Sequence, residues 1–160
     1  MAQSWAVLSG FGSETRCSSA MDSALFRLWD REHRLIKLLD PPYSDRERSP
    51  GYITGYGEGF RENGGQYTHA AVWLARALIR SGASDEGIAV IRALDPSSHR
   101  TAVYLGEPYA AAGDVCTCGE TRGMARWTQY TGAARICSAT ASTRDILRSP
   151  RARGCRSVCR

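Results

Sequence analysis

Apolar side chains recur at every third or fourth position in several stretches of the chain, a spacing that favours helices with one buried face. The first stretch spans residues 19–31. Its apolar stripe contains Met21, Leu25, Leu28 and Trp29. Ser18 or Ser19 precedes the stripe and can supply the N-cap, because a serine hydroxyl accepts a hydrogen bond from a free N–H of the first turn.

The clearest helical pattern covers residues 68–80. One face of this segment contains Ala70, Ala71, Leu74, Ala77 and Leu78. The pair Ser81-Gly82 follows and predicts the end of the helix, since glycine readily adopts the left-handed conformation of a C-terminal cap. A shorter helix is predicted from about Asp85 to Leu94, and the start of a last one over residues 129–134.

The segments between the predicted helices are rich in proline and glycine. Asp40-Pro41-Pro42 breaks the chain, and residues 52–65 contain five glycines with aromatic residues among them. These features predict a loop held close to its surroundings. Because no convincing strand alternation accompanies the helices, the pattern predicts an all-α architecture of helical hairpins.

Length and composition agree with a folded domain. The chain has 160 residues, of which 42% are hydrophobic, so it can bury a core. No run approaches the roughly 18 apolar residues needed to cross a bilayer, and no basic segment with a long apolar stretch opens the sequence. We therefore expect a chain that is neither secreted nor membrane-spanning, and a cytoplasmic location.

The positive charge is concentrated in one part of the chain. The formal net charge is +5, and seven arginines against one aspartate lie in residues 135–160. Apolar periodicity also ends there, so we predict a domain over residues 1–134 and an irregular or out-of-frame basic tail over 135–160. The tail alone suggests a nucleic-acid binder, and no recognition motif accompanies it, so no nucleic-acid partner is predicted.

Six cysteines raise the question of disulfides or a metal. They are Cys17, Cys116, Cys118, Cys137, Cys155 and Cys159. Their spacings are not the paired Cys-x-x-Cys units of a structural zinc site, so no metal is predicted. Free thiols are the expected state in a chain without a secretory signal.

Residues 61–69 carry the most informative chemistry. A pair of glycines is followed closely by His69, which the predicted helix places in its first turn. Backbone N–H groups and the positive end of a helix favour an anion such as phosphate, to which an imidazole can also donate. The alternative is that the glycines form only a turn and His69 only caps its helix.

Residues 127–134 hold a second candidate anion site, in which the hydroxyl of Thr131 precedes the backbone N–H of Gly132. Such a pair can hold an oxyanion, although Thr-Gly before a helix is also a common N-cap. Five aromatic residues of the chain can stack on sugar rings or belong to the core. They are Tyr52, Tyr56, Tyr67, Trp127 and Tyr130.

Five segments occur in an order that resembles the C-terminal part of the glycoside hydrolase family 94 phosphorylases, nearest to the cyclic β-1,2-glucan synthase type. They are residues 2–10, 50–56, 61–69, 107–109 and 127–134. The resemblance implies part of an (α/α)6 toroid, incomplete in this chain. It also implies inverting phosphorolysis of a β-glucan to α-glucose 1-phosphate, in either direction, with phosphate as co-substrate and no cofactor.

The same resemblance assigns candidate residues. His69, Thr131 and Gly132 match phosphate-binding positions, while Glu62, Arg61 and Gln66 would contact the sugar. The family's general acid is an aspartate that nothing in this chain matches, so we expect the chain alone to be inactive. A non-catalytic module that binds glucan or phosphate is the alternative. The parent enzymes resembled are attached to the bacterial inner membrane, but no membrane contact is expected of this chain.

Overall fold

The computed structural model describes residues 1–44, 50–95, 112–120, 122–123 and 125–126. Within these ranges the helices are α1 (Ala2–Leu8), α2 (Glu14–Leu28), α3 (Thr68–Arg80) and α4 (Ser84–Ala93), with a short 3-10 helix over Tyr52–Gly55. The strands have two residues each: β1 (Trp29–Asp30), β2 (Leu35–Ile36), β3 (Gln66–Tyr67), β4 (Asp114–Val115) and β5 (Ala125–Arg126).

Helix α3 is the centre of the core, as its apolar pattern predicts. All five alanines and leucines of its predicted face are buried. The helix ends at Arg80, and Gly82 follows with φ +94°, which confirms the predicted stop. Helix α4 begins one residue before its predicted start and packs against α3 through Gly87, where a Cβ would lie 2.8 Å from the carbonyl oxygen of Ala75.

The prediction for α2 is wrong at both ends. The helix begins at Glu14, so Ser18 and Ser19 lie inside it on the exposed side, and Ser13 occupies the N-cap position. The inward stripe extends back past the serines because Cys17 also packs against the core. The helix stops at Leu28 because the next two residues pair with β2, with Trp29 opposite Ile36.

Short strands are the second departure from the sequence prediction. β4 lies between β3 and β5 in an antiparallel sheet, with Gln66 opposite Val115 and Asp114 opposite Arg126. Two residues are too few to show strand alternation in a sequence. The sheet matters for function because it brings the segment around residue 115 to the start of α3.

The described helices confirm the helix-rich part of the fold prediction, and closure into a toroid stays a prediction. The core joins α1, α2, α3 and α4 around residues that include Met21, Leu74, Leu78 and Val90. None of the helices in the described ranges is long and apolar enough to cross a membrane.

Candidate functional site

Residues 59–65 form a tight turn, called here the glycine turn, which carries two of the candidate residues. The N–H of Gly59 donates to the Asn63 carbonyl across 2.8 Å, and the N–H of Gly65 donates to the Arg61 carbonyl across 3.0 Å. Gly59 and Gly64 have φ values of +78° and +92°, a region that glycine enters without steric cost. The sequence therefore folds into a closed turn rather than an open loop.

Asn63 fixes this turn to the rest of the protein. Its side chain is 1% exposed, and its amide nitrogen donates to the carbonyls of Tyr43 and Tyr56. Its amide oxygen accepts from the Tyr43 N–H across 2.7 Å. Sequence reasoning missed this role although Asn63 lies inside the recognised motif, because its partner Tyr43 is twenty positions away.

Arg61 and Glu62 project from the glycine turn and lie beside one another. The Arg61 Nε is 3.4 Å from the Glu62 Oε2, close enough for an ion pair but without the alignment of a hydrogen bond. The Arg61 guanidinium also lies over the Tyr56 ring at 5.0 Å. Glu62 Oε2 is buried and accepts no hydrogen bond from the described residues, so it has capacity for a hydroxyl or N–H donor.

Glu62 lines a cleft of about 510 Å³ between α2 and the loop that precedes the glycine turn. Its other polar lining includes Asp40 and Arg27, and its apolar lining includes Leu28, Leu38 and Ile53. A mostly apolar cleft with a few polar groups is the usual form of a small-molecule site. Tyr52, next to Ile53 in the sequence, is 70% exposed and is therefore not a core residue. Its ring meets the Tyr56 ring edge to face, with 6.2 Å between the ring centres.

Gln66 lies in β3 between the glycine turn and α3. Its side chain is fully buried, and its Oε1 accepts the Ile36 N–H across 2.7 Å. This bond ties β3 to β2. In this structure the amide oxygen of Gln66 therefore contacts the protein itself, and the assignment of Gln66 to substrate stays a prediction.

His69 is the second residue of α3, so the predicted place of the histidine in the first helical turn is confirmed. The N-cap residue, Tyr67, makes no side-chain hydrogen bond to the helix end. The Thr68 N–H donates to the Gly113 carbonyl, while the Thr68 hydroxyl is buried with no hydrogen-bond partner among the described residues. The N-terminus of α3 thus keeps unused polar capacity, as an anion site requires.

The imidazole of His69 is oriented by aromatic packing. Its ring centre lies 4.1 Å from that of Trp73, which meets Trp5 of α1 edge to face at 5.0 Å. The two candidate groups have different surroundings. Glu62 lines the cleft and contacts Arg61, whereas His69 packs on Trp73. Thr131 and Gly132 lie outside the described residues, as do Trp127 and Tyr130.

Residues 116–118, called here the support segment, donate hydrogen bonds to carbonyl groups of the glycine turn and of Glu58, which precedes it. Thr117 donates through its N–H to the Gly59 carbonyl across 3.0 Å and through its hydroxyl to the Gly64 carbonyl across 2.7 Å. The Cys118 thiol donates to the Glu58 carbonyl. Burial, with the neighbouring Cys116 and Glu58, raises the pKa of Cys118, so its thiol stays protonated near neutral pH. No sequence signal marks Thr117.

A histidine–aspartate pair on the β1–β2 hairpin extends this support. His33 Nδ1 lies 2.9 Å from Asp30 Oδ2, and the His33 backbone N–H donates to Asp30 Oδ1. Burial opposes ionisation of Asp30, but these hydrogen bonds and the charges of His33 and Arg122 lower its pKa overall. Arg122 Nη1 lies 3.0 Å from His33 Nε2, and Arg122 Nε donates to the Thr117 carbonyl.

Comparison with known proteins places these features in a family. The model of the glycosyl hydrolase 94 superfamily catalytic domain matches residues 1–147. The chain is 42% identical over 139 residues to the cyclic beta-(1,2)-glucan synthase NdvB of Rhizobium meliloti (strain 1021), covering 84% of this chain and 5% of that protein.

Two phosphorylases are also similar. Solabiose phosphorylase of Paenibacillus borealis is 31% identical over 149 residues, covering 80% of this chain and 19% of the relative. N,N'-diacetylchitobiose phosphorylase of Vibrio proteolyticus is 29% identical over 107 residues, covering 66% of this chain and 13% of the relative. The chain therefore spans less than a fifth of the length of each of these relatives.

Proposed function

This chain belongs to the glycosyl hydrolase 94 superfamily, and from that premise we propose that it carries part of the phosphate and sugar site of a carbohydrate phosphorylase that acts on β-glucan. The family match over residues 1–147 carries the proposal, because the glycine turn and the start of α3 both lie inside it. A carbohydrate-active, phosphorylase-like function also agrees with the similar relatives, one a glucan synthase and two phosphorylases.

The reaction proposed is inverting phosphorolysis. A phosphate oxygen attacks the anomeric carbon, the glycosidic carbon–oxygen bond breaks, and a carboxylic acid gives its proton to the leaving oxygen. Phosphate is the nucleophile, so the protein needs no carboxylate to activate water. What the site must supply is an anion cradle in line with the bond that breaks.

His69 is proposed as one side of that cradle, with Thr131 and Gly132 as the other. The buried Thr68 hydroxyl, which has no hydrogen-bond partner among the described residues, supports this assignment because it can donate to an anion at the positive end of α3. Trp73 supports it further by holding the imidazole in one orientation. Arg61 and Glu62 are proposed to contact sugar hydroxyls, for which Glu62 Oε2 has acceptor capacity.

Isolated, the chain is proposed to bind without turnover. The general acid has no counterpart in the sequence, and loss of such an acid alone lowers rates by roughly 10²- to 10⁴-fold. Two phenylalanines are nearly fully exposed, Phe11 at 96% and Phe26 at 87%. Apolar side chains so exposed fit a partial domain, whose remainder would cover them.

Phosphate titration of the full 160-residue chain tests the proposal. We expect orthophosphate to bind and His69→Phe, which keeps an aromatic ring against Trp73 but removes its nitrogens, to weaken binding by about 10- to 100-fold. Arg16→Gln removes an exposed cation from α2 and is the control. Equal weakening by the two variants would show only a general attraction of anions, and no binding by the unaltered chain would refute the site.

A paired assay separates the phosphorylase origin from a dedicated binding module. The chain is incubated with β-1,2-glucan and phosphate, and glucose 1-phosphate is measured. We expect the chain alone to form no glucose 1-phosphate above background. We expect turnover when a segment carrying the family's aspartate is added. Glucan binding that no added segment converts into turnover would favour the module.

A further inference from the structure

The support segment holds both ends of the glycine turn through one residue. Thr117 is 4% exposed, and its N–H and hydroxyl donate to the carbonyls of Gly59 and Gly64. Arg61 and Glu62 lie between those two glycines. The turn's internal bonds are therefore supplemented from outside the turn, by a residue 53 positions further along the chain from Gly64.

Thr117 is itself held by Arg122. The Arg122 Nε donates to the Thr117 carbonyl across 3.1 Å, and the neighbouring Gly123 N–H donates to the Cys116 carbonyl across 2.8 Å. The Arg122 guanidinium also reaches His33. Arg122 Nη1 lies 3.0 Å from His33 Nε2 and 3.4 Å from Nδ1, so it contacts the imidazole ring as a whole, and His33 Nδ1 lies 2.9 Å from Asp30 Oδ2. A continuous set of polar contacts thus runs from the β1–β2 hairpin through Arg122 and Thr117 to the glycine turn.

We propose that Thr117 is a positioning residue that sets the placement of Arg61 and Glu62 for sugar contact, with Arg122 holding Thr117 in place. The sugar-binding part of this inference rests on the proposed function. The effect of Thr117 on the glycine turn can be measured without any ligand. The Thr117 hydroxyl supplies one of the two bonds to the turn and is the part that substitution can remove with little change of shape.

Substitution at Thr117 gives the test. Thr117→Val keeps the branched shape without the hydroxyl, and Thr117→Ser keeps the hydroxyl. In the full chain, amide hydrogen exchange at Gly59 and Gly65 is compared with exchange at Leu78 in α3. We expect exchange at the two glycines to rise about tenfold in the valine variant and to return in the serine variant, with Leu78 unchanged.

Ligand titrations then connect placement to recognition. A β-1,2-glucan oligosaccharide should bind about tenfold more weakly to Thr117→Val than to the unaltered chain or Thr117→Ser, while orthophosphate, assigned to His69 on α3, should bind all three equally. A purely structural defect would instead weaken both ligands. Equal glucan affinities despite altered exchange would overturn the link to sugar.

Arg122→Gln keeps the test decisive if the valine variant fails to fold. It weakens the hold on Thr117 from outside the turn, and we expect faster exchange at Gly59 and Gly65 with native helix content. Unchanged exchange in both folded variants would overturn the positioning role. If the unaltered chain binds no glucan, the sugar part of the proposed function fails, and the exchange data still decide whether Thr117 places the turn.

Discussion

Asn63 binds both backbone polar groups of Tyr43, accepting from its N–H and donating to its carbonyl across 2.7 and 3.0 Å. A third bond joins Asn63 to the Tyr56 carbonyl. One buried amide therefore satisfies backbone groups from two separate loops. Without Asn63 these groups would have to bond to water, and any of them that water does not reach would destabilise the fold.

Asn63→Ala should lower the free energy of unfolding by about 3 kcal/mol, because three hydrogen bonds at a buried site are lost together. Urea unfolding followed by tryptophan fluorescence measures the change. Ser44→Ala, at the exposed neighbour of Tyr43, is the control and should change stability by less than about 0.5 kcal/mol. A similar small effect for both would mean that water replaces the amide.

Gly87→Ala should destabilise the contact between α3 and α4. The added methyl would meet the Ala75 carbonyl oxygen and the Ile79 side chain, and overpacking costs about 1–3 kcal/mol. The higher helix propensity of alanine offsets about 1 kcal/mol of this cost, so we expect the free energy of unfolding to fall by about 1 kcal/mol. Gly55→Ala, where a Cβ meets nothing within 4 Å, is the matched control in the same denaturation assay.

Asp30 should make stability depend on acid pH. Its pKa is lower in the folded protein than the ordinary 3.8, so its contribution is present above about pH 4 and is lost as pH falls through the folded value. The stability difference between the unaltered chain and Asp30→Asn should be constant from pH 7 to 5 and shrink below about pH 4. Urea unfolding across this range measures it. A difference independent of pH would contradict the lowered pKa of Asp30 in the folded protein.

Cys118 should react slowly with alkylating agents. Burial, followed by the charges of Cys116 and Glu58, raises its pKa, and only the thiolate attacks. Iodoacetamide labelling mapped by mass spectrometry should show a higher pH midpoint for Cys118 in the folded chain than in the same chain in urea. Equal midpoints would show that folding does not raise the pKa of Cys118.

Local sequence pattern predicts the elements whose bounds are determined by residues close to them in the sequence. α3 was correct at both ends because its apolar face and Ser81-Gly82 lie within one short window. The start of α2 was wrong because Ser18 and Ser19 look like caps, while packing of Cys17 on the core extends the helix to Glu14. Propensity is a weak signal where tertiary packing decides.

Long-range hydrogen bonds explain most of what the sequence did not show at the site. The motif of residues 61–69 pointed to His69 and its helix end. Thr117 and Asn63 gain their importance only from partners at Gly64 and Tyr43, which no local spacing reveals. The phosphate assignment of Thr131 and Gly132 stays a prediction because both residues lie outside the described ranges.

The closed state of the glycine turn also has a kinetic consequence. Its internal bonds and those from Asn63 and Thr117 are all made between groups of the chain itself, so we expect the turn to be ordered before a sugar arrives. Association would then need no slow ordering step, and less conformational entropy would be lost on binding. The observed rate constant for association of a sugar with Arg61 and Glu62 should therefore rise linearly with sugar concentration, as in single-step binding.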